Sequence, residues 1–184
     1  QLFMNNIHGN RLNVDLLIPE GSGYAGDRAP DFLLTGDQWS QMLYLTYGPD
    51  GQAYVIDWYD ASQCHHGRVD GRDRSNGRIY RIAYGDAPLV RVNLAELSSA
   101  ELYRAALLNE NEWYVRHARR LLQERAAAGQ LTPAAARELL FQSDPQVQVP
   151  ADQPRQQVRW VSLAQVLLGP AVIEELIRPA ALAD

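Results

Sequence analysis

Up to about residue 93, short β-branched and aromatic runs alternate with clusters of Gly, Asn, Asp and Pro. That is the pattern of short antiparallel strands. Residues 2–7 and 11–18 form a pair around His8-Gly9-Asn10, with Leu12, Val14 and Leu16 on one face of the second strand. Residues 19–30 read as loop, and a short strand follows at 31–35. The firmest pair is 41–47 with 52–58, joined by Gly48-Pro49-Asp50-Gly51. Proline is favoured early in such a turn, and glycine takes positive φ after it. Another strand is expected at 78–84.

After residue 93 the period becomes helical. Ser98 with Glu101 three residues on makes a capping box, opening a helix to about residue 108. A second helix is predicted over 113–127, with Gly129 just past its end. Thr132-Pro133 opens a third, to about residue 141. Residues 142–155 are rich in Gln, Pro and Asp and read as linker. Helices at 160–168 and 171–177 flank Gly169-Pro170. The division is therefore 1–92 and 93–184. Short connections between helices point to hairpins of the solenoid kind.

The polar stretch between the strands at 52–58 and 78–84 is the oddity. It carries the only cysteine and two of the four histidines, in the order Cys64-His65-His66. Loops this long are uncommon in compact domains unless functional or disordered. A c-type haem needs CxxCH, so covalent haem is excluded here. Adjacent histidines in extended backbone point opposite ways, and no second Cys/His cluster completes a tetrahedral metal site. A formal net charge of -5 argues against a general nucleic-acid binder. No apolar run reaches the length of a membrane span, and no glycine-rich dinucleotide fingerprint is present. The chain opens on Gln1 and reads as a segment of a longer protein.

Two stretches carry a resemblance. They are MNNIHGNRLNVDLLIPEGSGYAGDRAPDFLL and DQWSQMLYLTYGPDGQAYVIDWYDASQCHHGRVDGRDRSNGRIYRIAYG. They resemble the membrane-bound dehydrogenase domain of planctomycete and verrucomicrobial exported proteins, which is similar to sugar and sorbosone dehydrogenase β-propellers. GPDG-x-x-YV-x-D with GRIYR is shared by many propeller blades, whereas HGNRLN and DWYD-x-x-x-CHH are more specific. The helical WYVRHARRLLQERA resembles the HEAT-type repeat that follows such propellers, and the likeness ends near residue 142. The resemblance implies a β-propeller fragment of one to two blades followed by an all-α HEAT-like region. It also implies an exported, periplasmic parent, with the rest of the propeller and a downstream cytochrome c domain as partners.

The activity implied is oxidation of a sugar or alcohol on pyrroloquinoline quinone, with calcium as a second candidate cofactor. With less than two blades, this chain is expected to hold part of the ligand face and no complete active site. On the propeller register, the turn at 8–10, residues 36–39 and the loop 57–75 emerge on one face. That makes Asp57 and His65 candidates for proton transfer, the alternative for His65 being a loop-stabilising or hydrogen-bonded histidine. Asp57 closes an inner strand and needs a cationic partner, with Arg72, Arg74 and Arg78 the candidates. Asp57, Asp60, Asp70 and Asp73 either offer oxygens to calcium or bond nearby backbone in a turn-rich loop. His8, Asn10, Arg11, Asp37, His66 and Arg72 are candidate polar contacts. Trp39, Trp58 and Tyr59 either stack on a sugar or quinone or fill gaps between blades. The competing function is a non-catalytic module that binds a glycan or protein.

Overall fold

The fold was taken from a computed structural model, in which residues 1–62, 73–141 and 152–177 are described. The chain divides into two compact units, Gln1–Leu89 and Val90–Asp184.

Among its described residues the first unit holds two three-stranded antiparallel sheets. Strands β1 (Leu2–Asn6), β2 (Arg11–Glu20) and β3 (Gly23–Leu34) form one, and β4 (Met42–Tyr47), β5 (Ala53–Asp57) and β6 (Arg78–Ile82) the other. Both are meanders with a central second strand. The period of two buries Leu12 and Val14 on β2 and Val55 on β5. Leu12, Met42 and Val55 make a small core, with Leu33, Leu45 and Ile82 packed on it.

The expected β-propeller fragment with a HEAT-like region is corrected here. Each sheet has three strands rather than a four-stranded blade, and the described residues contain no closed barrel or propeller. The second strand pair also extends where a loop was expected. Residues 19–30, read as loop from Pro19, Gly21, Gly23, Gly26 and Pro30, continue the β2–β3 hairpin, with Glu20 paired to Gly23 and Pro19 to Tyr24. Gly21 has φ +58°, as a tight hairpin turn requires. Strand β3 is at the edge of its sheet, where a proline lacking its N–H is tolerated.

The Gly48–Gly51 turn is built by its own residues. Gly51 has φ +73°, and a Cβ on Gly48 would lie 2.5 Å from the Tyr54 ring. The Asp50 carboxylate accepts from the Tyr54 hydroxyl and from Arg81 Nε on β6, both at 2.8 Å, and from the Gln52 amide at 3.1 Å. Burial alone would raise the Asp50 pKa, but these donors outweigh it and hold it below the ordinary 3.8. A depressed carboxylate stabilises the fold above its unfolded pKa, and the contribution is lost as pH falls through the folded value. We expect the thermal midpoint of the wild type to fall more steeply below about pH 4 than that of Asp50→Asn, the unfolded carboxylate titrating near there. Parallel slopes in unfolding scans across that range would refute this latch.

Among its described residues the second unit has a short 3-10 turn at Leu94–Glu96 and five helices: α1 (Ser99–Leu108), α2 (Glu112–Ala127), α3 (Pro133–Phe141), α4 (Pro154–Leu168) and α5 (Ala171–Ile177). Ser98 and Glu101 form the reciprocal capping box. Thr132 Oγ1 accepts from the Ala135 amide at 3.2 Å. Helix α4 starts at Pro154, six residues before the expected Trp160, with proline in its first turn. Leu102, Leu107, Leu122 and Leu163 are fully buried in one cluster, each contributing about 1.5–3 kcal/mol. No helix among the described residues is long and apolar enough to cross a membrane.

Candidate functional site

The candidate residues on described chain gather at one end of the first unit. Asn10 closes the β1–β2 turn at φ +51°, a region asparagine tolerates. Its amide donates to the carbonyls of Ser40 at 2.6 Å and Gln38 at 3.1 Å, tying that turn to the segment before β4. Gly9 admits no side chain, since a Cβ would meet Asn6 at 2.8 Å. Arg11 reaches Asp31 at 3.3 Å, and Asp31 also accepts from Asn13 and Arg28. HGNRLN is thus a stapled turn. His8 sits exposed within it.

Asp37 caps the next turn, its Oδ1 accepting from the Trp39 amide at 3.0 Å. The same carboxylate faces the Tyr59 hydroxyl, and this, with burial, raises the phenol's pKa. Trp39 lies 5.8 Å from the Tyr59 ring, and the Arg78 guanidinium sits 3.6 Å over that ring's centroid. Tyr59 is therefore held between an acid, an indole and a cation.

Asp57 ends β5, paired with Met42 on one side and Arg78 on the other. It is 1% exposed. Its Oδ1 accepts from the backbone amides of Gln41 at 2.6 Å and Tyr59 at 3.3 Å, and its buried Oδ2 has no partner. With the two-residue alternation, Asp57 shares the inner face with Val55, and Ile56 takes the other. Asp60 is also fully buried. Its Oδ1 accepts from the Ser62 amide at 3.0 Å and its Oδ2 from the Asp73 amide at 2.9 Å. Asp60 thereby joins both roots of the long polar loop. Gln41, fully buried, donates its side-chain amide to the Asp60 carbonyl at 2.5 Å. Asp73 accepts from the hydroxyl and amide of Ser75 and from Asn76, contacts that keep its carboxyl below the usual range. Asp57, Asp60 and Asp73 each accept from the amide two residues on, and Asp57 and Asp60 also from amides of distant segments.

His65, His66 and Arg72 lie outside the described residues, with Cys64 and Asp70. Among the described residues no group of three or more His, Cys, Asp or Glu is placed to hold a metal ion. Asp57 Oδ1 and both oxygens of Asp60 and Asp73 accept from backbone or side-chain donors, and among these described acids only Asp57 Oδ2 is left unengaged.

On the outer face of the second sheet lies a concavity of about 620 Å³. Leu43, Ile56 and Ile79 form an apolar floor, with Trp58, Asp73 and Arg74 around it. Such a size and lining suit a small ligand. Trp58 is half-buried, and its indole Nε1 is buried without a partner. Sequence reasoning named Trp58 but missed the floor. The signal was available: Ile56 and Trp58 are two residues apart at a strand end, opposite the buried Val55–Asp57 pair. Gln41 was missed because nothing local marks it.

A family model described as a domain of unknown function (DUF7133) matches residues 2–86, nearly all of the strand-rich unit. Neither a curated protein nor a solved structure matches the chain.

Proposed function

We propose that the strand-rich unit contributes a sugar- or polyol-binding face to a larger quinone-dependent dehydrogenase-type protein and holds no complete active site itself. The observation supporting this is the concavity beside Trp58, with its apolar floor and polar rim. A sugar presents an apolar C–H face and a hydroxyl edge, which match Leu43, Ile56 and Ile79 below and Trp58, Asp73 and Arg74 around. Trp58 Nε1 is shielded from solvent in the free chain and donates only, so ligand entry that turns the indole toward the concavity gives it a hydroxyl or ether oxygen. A buried polar group left unpaired costs about 1–3 kcal/mol, which such an oxygen relieves. The ionised Asp73 accepts from a ligand hydroxyl. Asp57 serves as a positioning residue, fixing Gln41 and Tyr59 through its Oδ1. Pyrroloquinoline quinone, held by the complete parent, supplies the hydride acceptor; the reaction class rests on the family resemblance alone.

Calorimetry over a panel of sugars and polyols should show binding that Trp58→Phe weakens about tenfold, the value of one buried hydrogen bond. Dye-linked turnover with added quinone and calcium should be absent from this chain. Turnover would show a complete site and overturn the proposal. A glycan-binding module without catalysis is the second reading, favoured by the anchoring of Asp57 Oδ1 to two backbone amides. Binding together with no turnover in the full-length parent would assign it.

A further inference from the structure

We propose that the groove between α2 and α4 is a phosphate-binding site, independent of the sugar-binding reading. Helix spacing builds it. Val115 and Arg119 lie four apart on α2, and Arg155, Val158, Arg159 and Ser162 lie on one face of α4. The groove encloses about 430 Å³ and contains three arginines against one acid, Glu112, in a chain of net charge -5.

The arginines divide by role. Arg159 is 7% exposed. It donates through one terminal nitrogen to the carbonyls of Leu107 at 2.9 Å and Asn109 at 3.0 Å, and through the other to Glu112. Its guanidinium is therefore rigidly held, while its buried Nε has no partner. Glu112 is neutralised by that pairing. Arg119 and Arg155 have no hydrogen bond or ion pair among the described residues and remain available as charges facing the groove.

Helix α4 adds to this. Gln153 at its N-cap makes no side-chain capping bond, and the first turn contains no acid. Asp152 precedes the cap, but no acid lies within the first turn, and the amides that follow Pro154 favour an anion. Two unpaired guanidiniums and an uncapped helix start suit a divalent oxyanion better than a single carboxylate, and arginine forks match phosphate geometry. The ligand is inorganic phosphate or the phosphate of a small ester.

The test is calorimetric titration of the whole chain with inorganic phosphate and with phenyl phosphate, against sodium chloride at equal ionic strength. Saturable binding of a phosphate is expected, weakened about tenfold by either Arg119→Gln or Arg155→Gln. Both positions are outside the buried core, and circular dichroism checks that the variants stay helical. Tighter binding of phenyl phosphate assigns an ester as the source, and equal or tighter binding of inorganic phosphate assigns the free ion. Heats no different from chloride, or undiminished affinity in the folded double variant, would overturn the site.

Discussion

Asp60→Ala is expected to destabilise the strand-rich unit by about 3 kcal/mol or more, since it removes two charge-assisted hydrogen bonds worth about 1.5–3 kcal/mol each. The carboxylate is fully buried and bridges the Ser62 and Asp73 amides, the two described ends of the long loop. Alanine leaves both amides without their acceptor. Asp60→Asn should cost less, because one oxygen still accepts while the new amino group faces the second N–H. Urea unfolding gives the stability, and amide hydrogen exchange at Ser62 and Asp73 locates the loss. Unchanged exchange at those two amides would contradict the latch, whatever happens to global stability.

Arg159→Met is the other substitution with a large expected effect, about 2–4 kcal/mol on the helical unit. Its guanidinium serves carbonyls at the C-terminal end of α1 and pairs with Glu112. The Glu112 side chain is 42% exposed, so it rehydrates when unpaired. The cost therefore falls on the Leu107 and Asn109 carbonyls. Adding Glu112→Gln to the variant should recover little. Substantial recovery would mean that the stranded charge, and not the helix end, dominates.

What could be read from the chain alone was local. The Ser98–Glu101 capping box, the Thr132 cap and the Gly48–Gly51 turn each lie within a few residues, so composition and spacing reveal them. Strand β3 was hidden because Gly23, Gly26 and Pro30 read as breakers, and its position at a sheet edge makes them acceptable. The start of α4 was hidden because Pro154 closed a run that resembled linker, although proline also suits a first helical turn.

The candidate site shows the same limit. Asp57 and Asp60 stood out as acids near a strand end, but their partners are amides 16 and 13 residues away. Pairing across that distance depends on the fold. Asn10 shows it again: its amide is committed to backbone about thirty residues on. The propeller expectation rested in part on GPDG-x-x-YV-x-D and GRIYR, residues that the structure uses to tie β6 to the β4–β5 hairpin, with Asp50, Tyr54 and Arg81 joined around a single carboxylate. That lock needs only three strands.

If the concavity beside Trp58 receives a hydroxyl-rich ligand, the Trp58 indole must sense it. A two-dimensional nitrogen–proton spectrum of the whole chain, with the Trp58 indole assigned by Trp58→Phe, is titrated with the sugar and polyol panel. A saturable shift of that indole resonance is expected with at least one sugar, while the Trp113 and Trp160 indoles of the helical unit stay in place. A Trp58 indole unmoved by every sugar and polyol, up to the concentration where Trp113 and Trp160 begin to drift, would contradict it.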